Sequence, residues 1–380
     1  MRLSSSLVAV LVAVSAALVA VPASATPTCQ GKVATIVGTD GDDPSMEGTD
    51  GDDVVWLGAG NDVFLGNAGD DLVCGGPGSD QLLGDNGDDI LLGEDGGDLL
   101  DGGDGSDRLS GGAGRDVLAF DGVGSDVLLG GPNGDGLHLW GGVTNSWVPD
   151  VGPTIDLPRK TITAGPVRAT VAGFEYFYAT ELSDTFLGTD GPEEFHGFGG
   201  PDLLRMGGGN DYVDAIDSTV YAGRGADNVH VDGNSVVDLG PGPDQVQFTG
   251  RIRAFGGAET DMFYGPETAR GSIDGGTGGD TLAFHNQYGL RVDLAQGSAI
   301  WEGGDLRLSR LSQVIGTSHR DILLGSDLDE SFNGGAGADV LGGRGGADFL
   351  SGDADRDVAY GGPGTDWCRA EVARGCERRT

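Results

Sequence analysis

The chain has 380 residues, of which 74 are glycine, and its 60 acidic against 22 basic side chains give a formal net charge of −38. A surface this acidic repels phosphates and anionic lipid head groups, so nucleic acids and membranes are excluded as expected partners, and cations are favoured. Such a glycine content makes a helical or doubly wound core hard to build, because glycine loses the most backbone entropy on folding. An internal repeat is therefore tested first.

The first residues are typical of a secretory signal peptide. Arg2 precedes an apolar run at residues 7–21, and residues 23–25 (ASA) form a small-x-small cleavage site. The run is shorter than the roughly 20 apolar residues of a membrane span. We therefore expect a signal peptide at residues 1–25 and a secreted, extracellular protein that begins at Thr26.

Four cysteines lie near the two ends of the sequence: Cys29, Cys74, Cys368 and Cys376. An exported chain can oxidise them. Three connectivities are possible, and we favour Cys29 with Cys74 and Cys368 with Cys376, because each pair then fastens one end of an elongated fold. A zinc or redox site is the alternative, and the absence of C-x-x-C spacing and of nearby histidines in the sequence disfavours it.

A nine-residue repeat runs without gaps from Gly48 to Ala119, in units such as LGAGNDVFL and GDNGDDILL. Position four is always glycine, position six is always aspartate and position eight is always apolar. One extra residue, Phe120, shifts the frame, after which Asp126 and Asp135 keep the nine-residue step. The position-six aspartates of the uninterrupted run are Asp53, Asp62, Asp71, Asp80, Asp89, Asp98, Asp107 and Asp116.

This pattern predicts a coil in which glycine-rich turns alternate with short strands, two units making one turn. Stacked turns lie about 4.8 Å apart, so Asp53 should lie beside Asp71. Unit charges that close repel by roughly 1 kcal/mol in water and by more near a protein interior. A hard divalent cation held by carboxylates and turn carbonyls reverses that energy, and calcium fits best because it accepts six to eight oxygens in flexible geometry.

The pattern G-G-x-G-x-D-x-U-x, with U large and apolar, resembles the repeats-in-toxin (RTX), or haemolysin-type, calcium-binding repeat. The resemblance implies an all-β fold, a parallel β-roll or β-helix solenoid, whose position-six aspartates bind Ca²⁺ between turns. A disordered acidic tract is the alternative, and it is the state expected without calcium. The chain departs from haemolysin-type toxins and proteases in its N-terminal signal peptide, so we expect the general secretory route.

The later part of the chain contains an internal duplication without gaps. Residues 184–190 match residues 321–327, and the match continues into the following nonamers. Each copy begins with a stretch rich in β-branched and aromatic residues, and we expect these stretches to be extra β-coils without metal. The expected domains are the signal peptide, an N-terminal roll at 26–138, an insert and one-edged roll at 139–282, and a second insert with C-terminal repeats and disulfide cap at 283–380.

Between the two copies, aspartates recur at intervals of about one coil. Only one edge keeps the motif there, so we expect calcium along one edge at most, with solvated surface aspartates as the alternative. Asp261 is left out because Glu259 replaces the position-four glycine, and Asp366 because no turn follows it. The further predicted calcium ligands are Asp126, Asp202, Asp211, Asp227, Asp244, Asp280, Asp339, Asp348 and Asp357.

The sequence contains no zinc-protease, nucleophile-elbow or P-loop motif, and Lys32 and Lys160 are its only lysines. We therefore expect no enzyme. The predicted function is extracellular calcium binding, coupled to folding of a β-roll rod. One alternative is a calcium-stiffened adhesin or cell-envelope protein with a cell-wall or glycan partner. Another is a carbohydrate-active β-helix enzyme, which would need a cluster of Asp, His, Arg or Lys that the inserts do not show.

Overall fold

The computed structural model describes residues 26–139, 152–265, 268–284 and 288–379. The predicted signal peptide and part of each insert lie outside these residues. Throughout the described part, the regular elements are β-strands, as the glycine-rich repeat predicts. No helix in these ranges is long and apolar enough to cross a membrane.

The strands form one short hairpin and two long sheets. The hairpin contains β1 (Thr28–Cys29) and β2 (Lys32–Val33). The first sheet contains β3 (Ile36–Val37), β5 (Val54–Trp56), β7 (Leu72–Pro77), β9 (Ile90–Asp95), β11 (Arg108–Ala113), β13 (Val127–Leu129), β15 (Thr154–Asp156), β16 (Thr161–Ala164), β17 (Val167–Ala172), β19 (Thr185–Leu187), β21 (Leu203–Gly208), β23 (Thr219–Arg224), β25 (Asn234–Pro241), β27 (Gly250–Ala258), β29 (Ala269–Thr277), β31 (Leu290–Asp293), β32 (Ser298–Trp301), β33 (Gly304–Ser309), β35 (Ile322–Leu324), β37 (Val340–Gly342), β39 (Val358–Tyr360) and β41 (Val372–Arg374). The second sheet contains β4 (Met46–Glu47), β6 (Val63–Leu65), β8 (Gln81–Leu83), β10 (Leu99–Asp101), β12 (Val117–Ala119), β14 (Gly136–His138), β18 (Tyr176–Tyr178), β20 (Glu194–His196), β22 (Tyr212–Ile216), β24 (Asn228–Asp232), β26 (Gln245–Phe248), β28 (Met262–Gly265), β30 (Thr281–Phe284), β34 (Gln313–Ile315), β36 (Ser331–Asn333), β38 (Phe349–Ser351), β40 (Trp367–Arg369) and β42 (Arg378–Arg379).

Outside the two inserts, successive strands from β3 onward alternate between the two sheets, which makes the molecule a parallel β-solenoid. In the nonamer region each strand pairs with the strand two repeat units further on, as Leu72 does with Ile90 and Ile90 with Arg108. In the central region the coils are shorter, as the pairing of Leu204 with Val220 shows. Each turn contributes one strand to the second sheet, so its described strands correspond to about 18 turns. The predicted β-roll is thereby confirmed.

The core is a narrow column between the two sheets. Each short strand points its middle residue inward, because neighbouring side chains of a strand face opposite sides. The position-eight residues Val55, Phe64, Leu82 and Leu100 are accordingly fully buried. In the middle of the molecule the column is aromatic, and the ring centroid of Phe186 lies 4.9 Å from those of both Phe177 and Phe195.

Most position-four glycines make the tight stacking of turns possible; the first of them, Gly51, is the exception, because a Cβ there would meet nothing within 4 Å. A Cβ on Gly96, whose φ is +153°, would lie 1.4 Å from the carbonyl oxygen of Gly78 in the preceding turn. No side chain fits there without moving the backbone. Where the sequence departs from glycine, the left-handed conformation is kept, since φ is +80° at Glu259 and +77° at Asp355.

The two inserts differ from the predicted extra coils. Strand β16 runs antiparallel between β15 and β17, and β32 runs antiparallel between β31 and β33. Each insert is therefore a three-stranded meander that widens the first sheet, after which parallel stacking resumes. The duplication is confirmed, because β32 and β33 occupy the positions in the second copy that β16 and β17 occupy in the first.

Both predicted disulfides are present. Cys29 joins Cys74, and Cys368 joins Cys376. The first bond fixes the β1–β2 hairpin on the outer face of the first sheet, where Cys29 and Cys74 cluster with Leu72. The second bond joins β40 to the segment that leads into β42.

Candidate metal centres

The position-six aspartates precede the strands and form two ladders along the edges of the roll. In the first ladder the backbone N–H of Asp53 donates to Oδ1 of Asp71, 2.8 Å away, and Asp71 and Asp89 continue the pattern. The second ladder follows the same rule from Asp62 through Asp80. One oxygen of each carboxylate is therefore used to stack the turns. The predicted proximity of Asp53 and Asp71 is confirmed.

The other carboxylate oxygen is the candidate metal ligand. It is buried and has no hydrogen-bond partner among the described residues, a costly state for a group that is charged in water. A cation would satisfy it. The predicted residues that share this state are Asp62, Asp71, Asp80, Asp89, Asp98, Asp116, Asp211, Asp227, Asp244, Asp280, Asp339, Asp348 and Asp357.

Backbone carbonyl oxygens complete the donor set. A Cβ on Gly84 would lie 2.2 Å from Oδ2 of Asp89 and 2.4 Å from the carbonyl oxygen of Gly102. The position-one glycine thus leaves open a space that a carboxylate oxygen of its own unit and a carbonyl oxygen of the next turn both border. These are the hard oxygen ligands that calcium prefers. No cluster of three or more His, Cys, Asp or Glu side chains suited to a metal occurs in the described residues. A cation held in this space would meet carbonyl as well as carboxylate oxygens.

Burial makes these carboxylates hard to ionise without a cation. It raises the pKa of Asp80 to about 6, of Asp98 to about 7 and of Asp107 to about 8. Backbone N–H donation lowers each pKa and neighbouring ladder aspartates raise it further, but loss of hydration is the largest cause. A bound divalent cation would supply the opposing charge.

Some predicted ligands have local partners instead. Oδ2 of Asp53 accepts from the backbone N–H and the hydroxyl of Thr49, and Oδ2 of Asp202 accepts from Ser218. Asp126 and Asp107 lie in the first ladder, where the N–H of Asp107 donates to Asp126. Oδ2 of Asp53 and Oδ2 of Asp202 therefore have partners within the protein, whereas, among the described residues, Asp107 and Asp126 show only the ladder contact of the other aspartates.

The central coils have one carboxylate edge. Asp211, Asp227, Asp244, Asp261 and Asp280 form a single ladder with N–H to Oδ1 distances of 2.8 to 3.0 Å. At the opposite edge the equivalent contacts are made by hydroxyl side chains, since Asp202 N–H donates to Ser218 and Ser218 N–H to Ser235. The structure thus has carboxylates along one edge of this region, where the sequence predicted them.

Several ladder carboxylates were missed from the sequence. Asp261 lies in the ladder because Glu259 adopts the left-handed turn. Asp366 was left out because no turn was expected after it, but β41 and β42 do follow it and its N–H donates to Oε2 of Glu377. A nine-residue step from Asp184 or Asp321 would have found Glu193 and Glu330. The missed residues with a buried, unpartnered carboxylate oxygen are Asp135, Glu193, Asp261, Glu330 and Asp366.

A comparison with protein families agrees with this geometry. The family model described as the RTX calcium-binding nonapeptide repeat (4 copies) matches residues 47–82, 83–118, 178–215, 315–350, 324–359 and 342–371. No curated protein matches the chain. The matches cover the regions where both edges carry carboxylates, and calcium is the cation that such repeats bind. The chain therefore carries several copies of the RTX calcium-binding nonapeptide repeat.

Proposed function

We propose that the protein is an exported calcium-binding rod whose coils fold when calcium binds. The observation that carries the proposal is the repetition, along both edges, of buried carboxylate oxygens with no hydrogen-bond partner among the described residues. Without a cation, stacking the turns buries these charges at a cost. With calcium, the binding free energy becomes folding free energy, because separate turns do not form the site.

Export to a calcium-rich medium is part of the proposal. The sequence of residues 1–25 supports it, as do two disulfides in a chain with no free cysteine among its described residues. Extracellular calcium modules bind with dissociation constants of about 10⁻⁴ to 10⁻³ M, so such a chain would fold after export. The proposal includes no catalytic role, in keeping with the binding character of the repeats.

The decisive experiment is a far-UV circular dichroism titration of residues 26–380 after removal of bound calcium. We expect a cooperative coil-to-β transition with Ca²⁺, and none with Mg²⁺ at the same concentration, because magnesium demands a smaller octahedral site. A calcium-free protein that already has its full β signal, and that calcium does not change, would show that the apolar column and the disulfides suffice for folding.

A further inference from the structure

The outer face of the second sheet carries a strip of aromatic and polar side chains in the middle of the rod. We define the central strip as Tyr176, Tyr178, Glu194, His196, Tyr212 and Asp214, which lie on β18, β20 and β22. Tyr176 pairs with Glu194 and Glu194 with Tyr212, while Tyr178 pairs with His196 and His196 with Asp214. These side chains point away from the core, since the residues between them, Phe177, Phe195 and Val213, are fully buried.

The strip is held in a defined arrangement. The rings of Tyr178 and His196 are stacked, with centroids 4.9 Å apart and an interplanar angle of 8°, and Tyr212 lies 5.7 Å from His196. Nε2 of His196 is 2.8 Å from Oε1 of Glu194, and Nδ1 of His230 is 3.3 Å from Oδ1 of Asp214. Little side-chain freedom therefore remains to be lost when a ligand binds.

A cavity of about 270 Å³ opens beside the strip. Tyr176, Tyr212, Glu194 and Asn210 border it, together with residues of the neighbouring carboxylate edge. It thus presents apolar ring surface and hydrogen-bonding groups on the same wall. This size is just below the range of about 300–1,000 Å³ that is usual for small-molecule sites, which suits a small unit of a larger ligand.

The second copy of the duplication shows that folding does not require these residues. In the alignment that matches residues 184–190 with 321–327, the strip residues Tyr176, Tyr178, Glu194, His196, Tyr212 and Asp214 correspond to Gln313, Ile315, Ser331, Asn333, Phe349 and Ser351. Strands β34, β36 and β38 nevertheless pair in the same order. Their inward residues, Val314, Phe332 and Leu350, are as buried as those of the first copy. The same backbone therefore forms without the strip.

We propose that the central strip binds an uncharged glycan. Sugars combine apolar C–H groups with many hydroxyls. The strip combines half-buried aromatic rings with carboxylate and imidazole groups, and Asn210 at the cavity adds an amide, so hydrogen bonds can be both accepted and donated. The strip crosses three paired strands, which suits an extended chain that lies across them. The net charge of −38 and the carboxylates within the strip disfavour an anionic glycan.

This inference goes beyond the proposed calcium binding and needs only the folded roll. The test uses the mature chain in saturating calcium, with far-UV circular dichroism as the check that it is folded. The probe is an array of immobilised uncharged oligosaccharides of hexoses, pentoses and N-acetylhexosamines, with anionic oligosaccharides and polylysine as further arms. If the chain is β-structured without calcium, the proposed function fails while the glycan assay still applies.

The test variant replaces strip residues by those of the second copy: Tyr176→Gln, Tyr178→Ile, His196→Asn and Tyr212→Phe together. We expect the native chain to bind an uncharged class and the variant to bind it at least about tenfold more weakly, because stacking surface and hydrogen bonds are lost. Phe349→Ser, which removes a half-exposed ring at the equivalent position of the second copy, is the matched control and should leave binding unchanged.

Three results would overturn the inference. The first is a folded native chain that binds no uncharged oligosaccharide on the array. The second is that the variant with all four substitutions binds the oligosaccharide as tightly as the native chain. The third is binding to polylysine alone that is abolished by salt, which would assign the strip to a basic protein partner.

Discussion

The two oxygens of a ladder carboxylate have different roles, and a single substitution can distinguish these roles experimentally. Asp80 accepts the N–H of Asp62 through Oδ1, whereas its Oδ2 is buried without a hydrogen-bond partner in the described structure. An asparagine keeps the acceptor and removes the charge. Alanine removes both.

We therefore predict effects of opposite sign for Asp80→Asn. With calcium, affinity should fall roughly tenfold for the affected turns, because a charged ligand is lost. Without calcium at pH 8, the variant should be more stable than the native chain by about 1–2 kcal/mol, because a buried unpaired charge has been removed. Calcium titrations and urea unfolding measure the two effects.

The control for this substitution is Asp88→Asn, which removes the same charge at an exposed position of the same ladder region. It should change neither quantity noticeably, because exposed charges contribute little. Equal effects of the two substitutions would mean that net charge, and not the buried oxygen, controls calcium binding.

The position-one glycines make a steric prediction of their own. Gly84 does not have a left-handed φ, but its Cβ would enter the space that Asp89 and the Gly102 carbonyl border. Gly84→Ala should therefore destabilise the calcium-bound roll by about 1–3 kcal/mol and reduce calcium stoichiometry. Gly51→Ala, where a Cβ would meet nothing within 4 Å, should stay within about 0.5 kcal/mol of the native chain. Isothermal titration calorimetry and thermal unfolding of the two variants test this prediction. Equal losses of stability and calcium stoichiometry in both variants would refute the steric explanation.

At the scale of the ladders, burial sets the pH dependence. The folded-state pKa values of Asp89, Asp98 and Asp107 rise to about 7, 7 and 8 from a usual value of 3.8. The folded state therefore holds more protons than the unfolded chain between about pH 4 and pH 8. These carboxylates therefore contribute most to the stability of the calcium-free roll below this window, and their contribution is lost as pH rises through it.

We accordingly predict that protein freed of calcium by resin treatment, without a chelator, has more β-structure at pH 5 than at pH 8.5. In calcium the order should reverse, because protons compete with the metal for the carboxylates. Circular dichroism at a series of pH values, with and without calcium, measures both curves. Two curves that rise and fall together would contradict the assignment of the ladder carboxylates as ligands.

The elements differ in how far the sequence predicted them. The nonamer regions were predictable because each unit has a glycine that forms the turn, an aspartate that joins the ladder and an apolar residue that enters the core. Gly60, Asp62 and Phe64 are one such set. The direction of the strands in the inserts could not be predicted, because the β-branched residues of β15 to β17 favour parallel and antiparallel strands alike. The predicted ladders were incomplete because Glu193 and Glu330 occupy aspartate positions, which a strict pattern rejects. The central strip could not be predicted from the sequence, because its residues come together only when the coils stack.

At the scale of the whole molecule, the acidic charge acts on the folded and unfolded states together. A chain of net charge −38 repels itself and attracts calcium over long distances. Raising the ionic strength from about 0.01 M to 0.15 M shortens the screening length from about 30 Å to 8 Å. Self-repulsion and the long-range attraction of calcium are both weakened.

We predict that sodium chloride makes calcium-dependent folding less favourable but makes the calcium-free chain more structured. The calcium midpoint of folding should rise with salt, because less calcium accumulates near the rod. Residual β-structure of the calcium-free chain should increase, because the carboxylate ladders repel one another less. Titrations at both ionic strengths, repeated with choline chloride to exclude specific sodium binding, give the two trends. A midpoint independent of salt would show that contacts within each turn, and not the charge of the whole rod, determine calcium affinity.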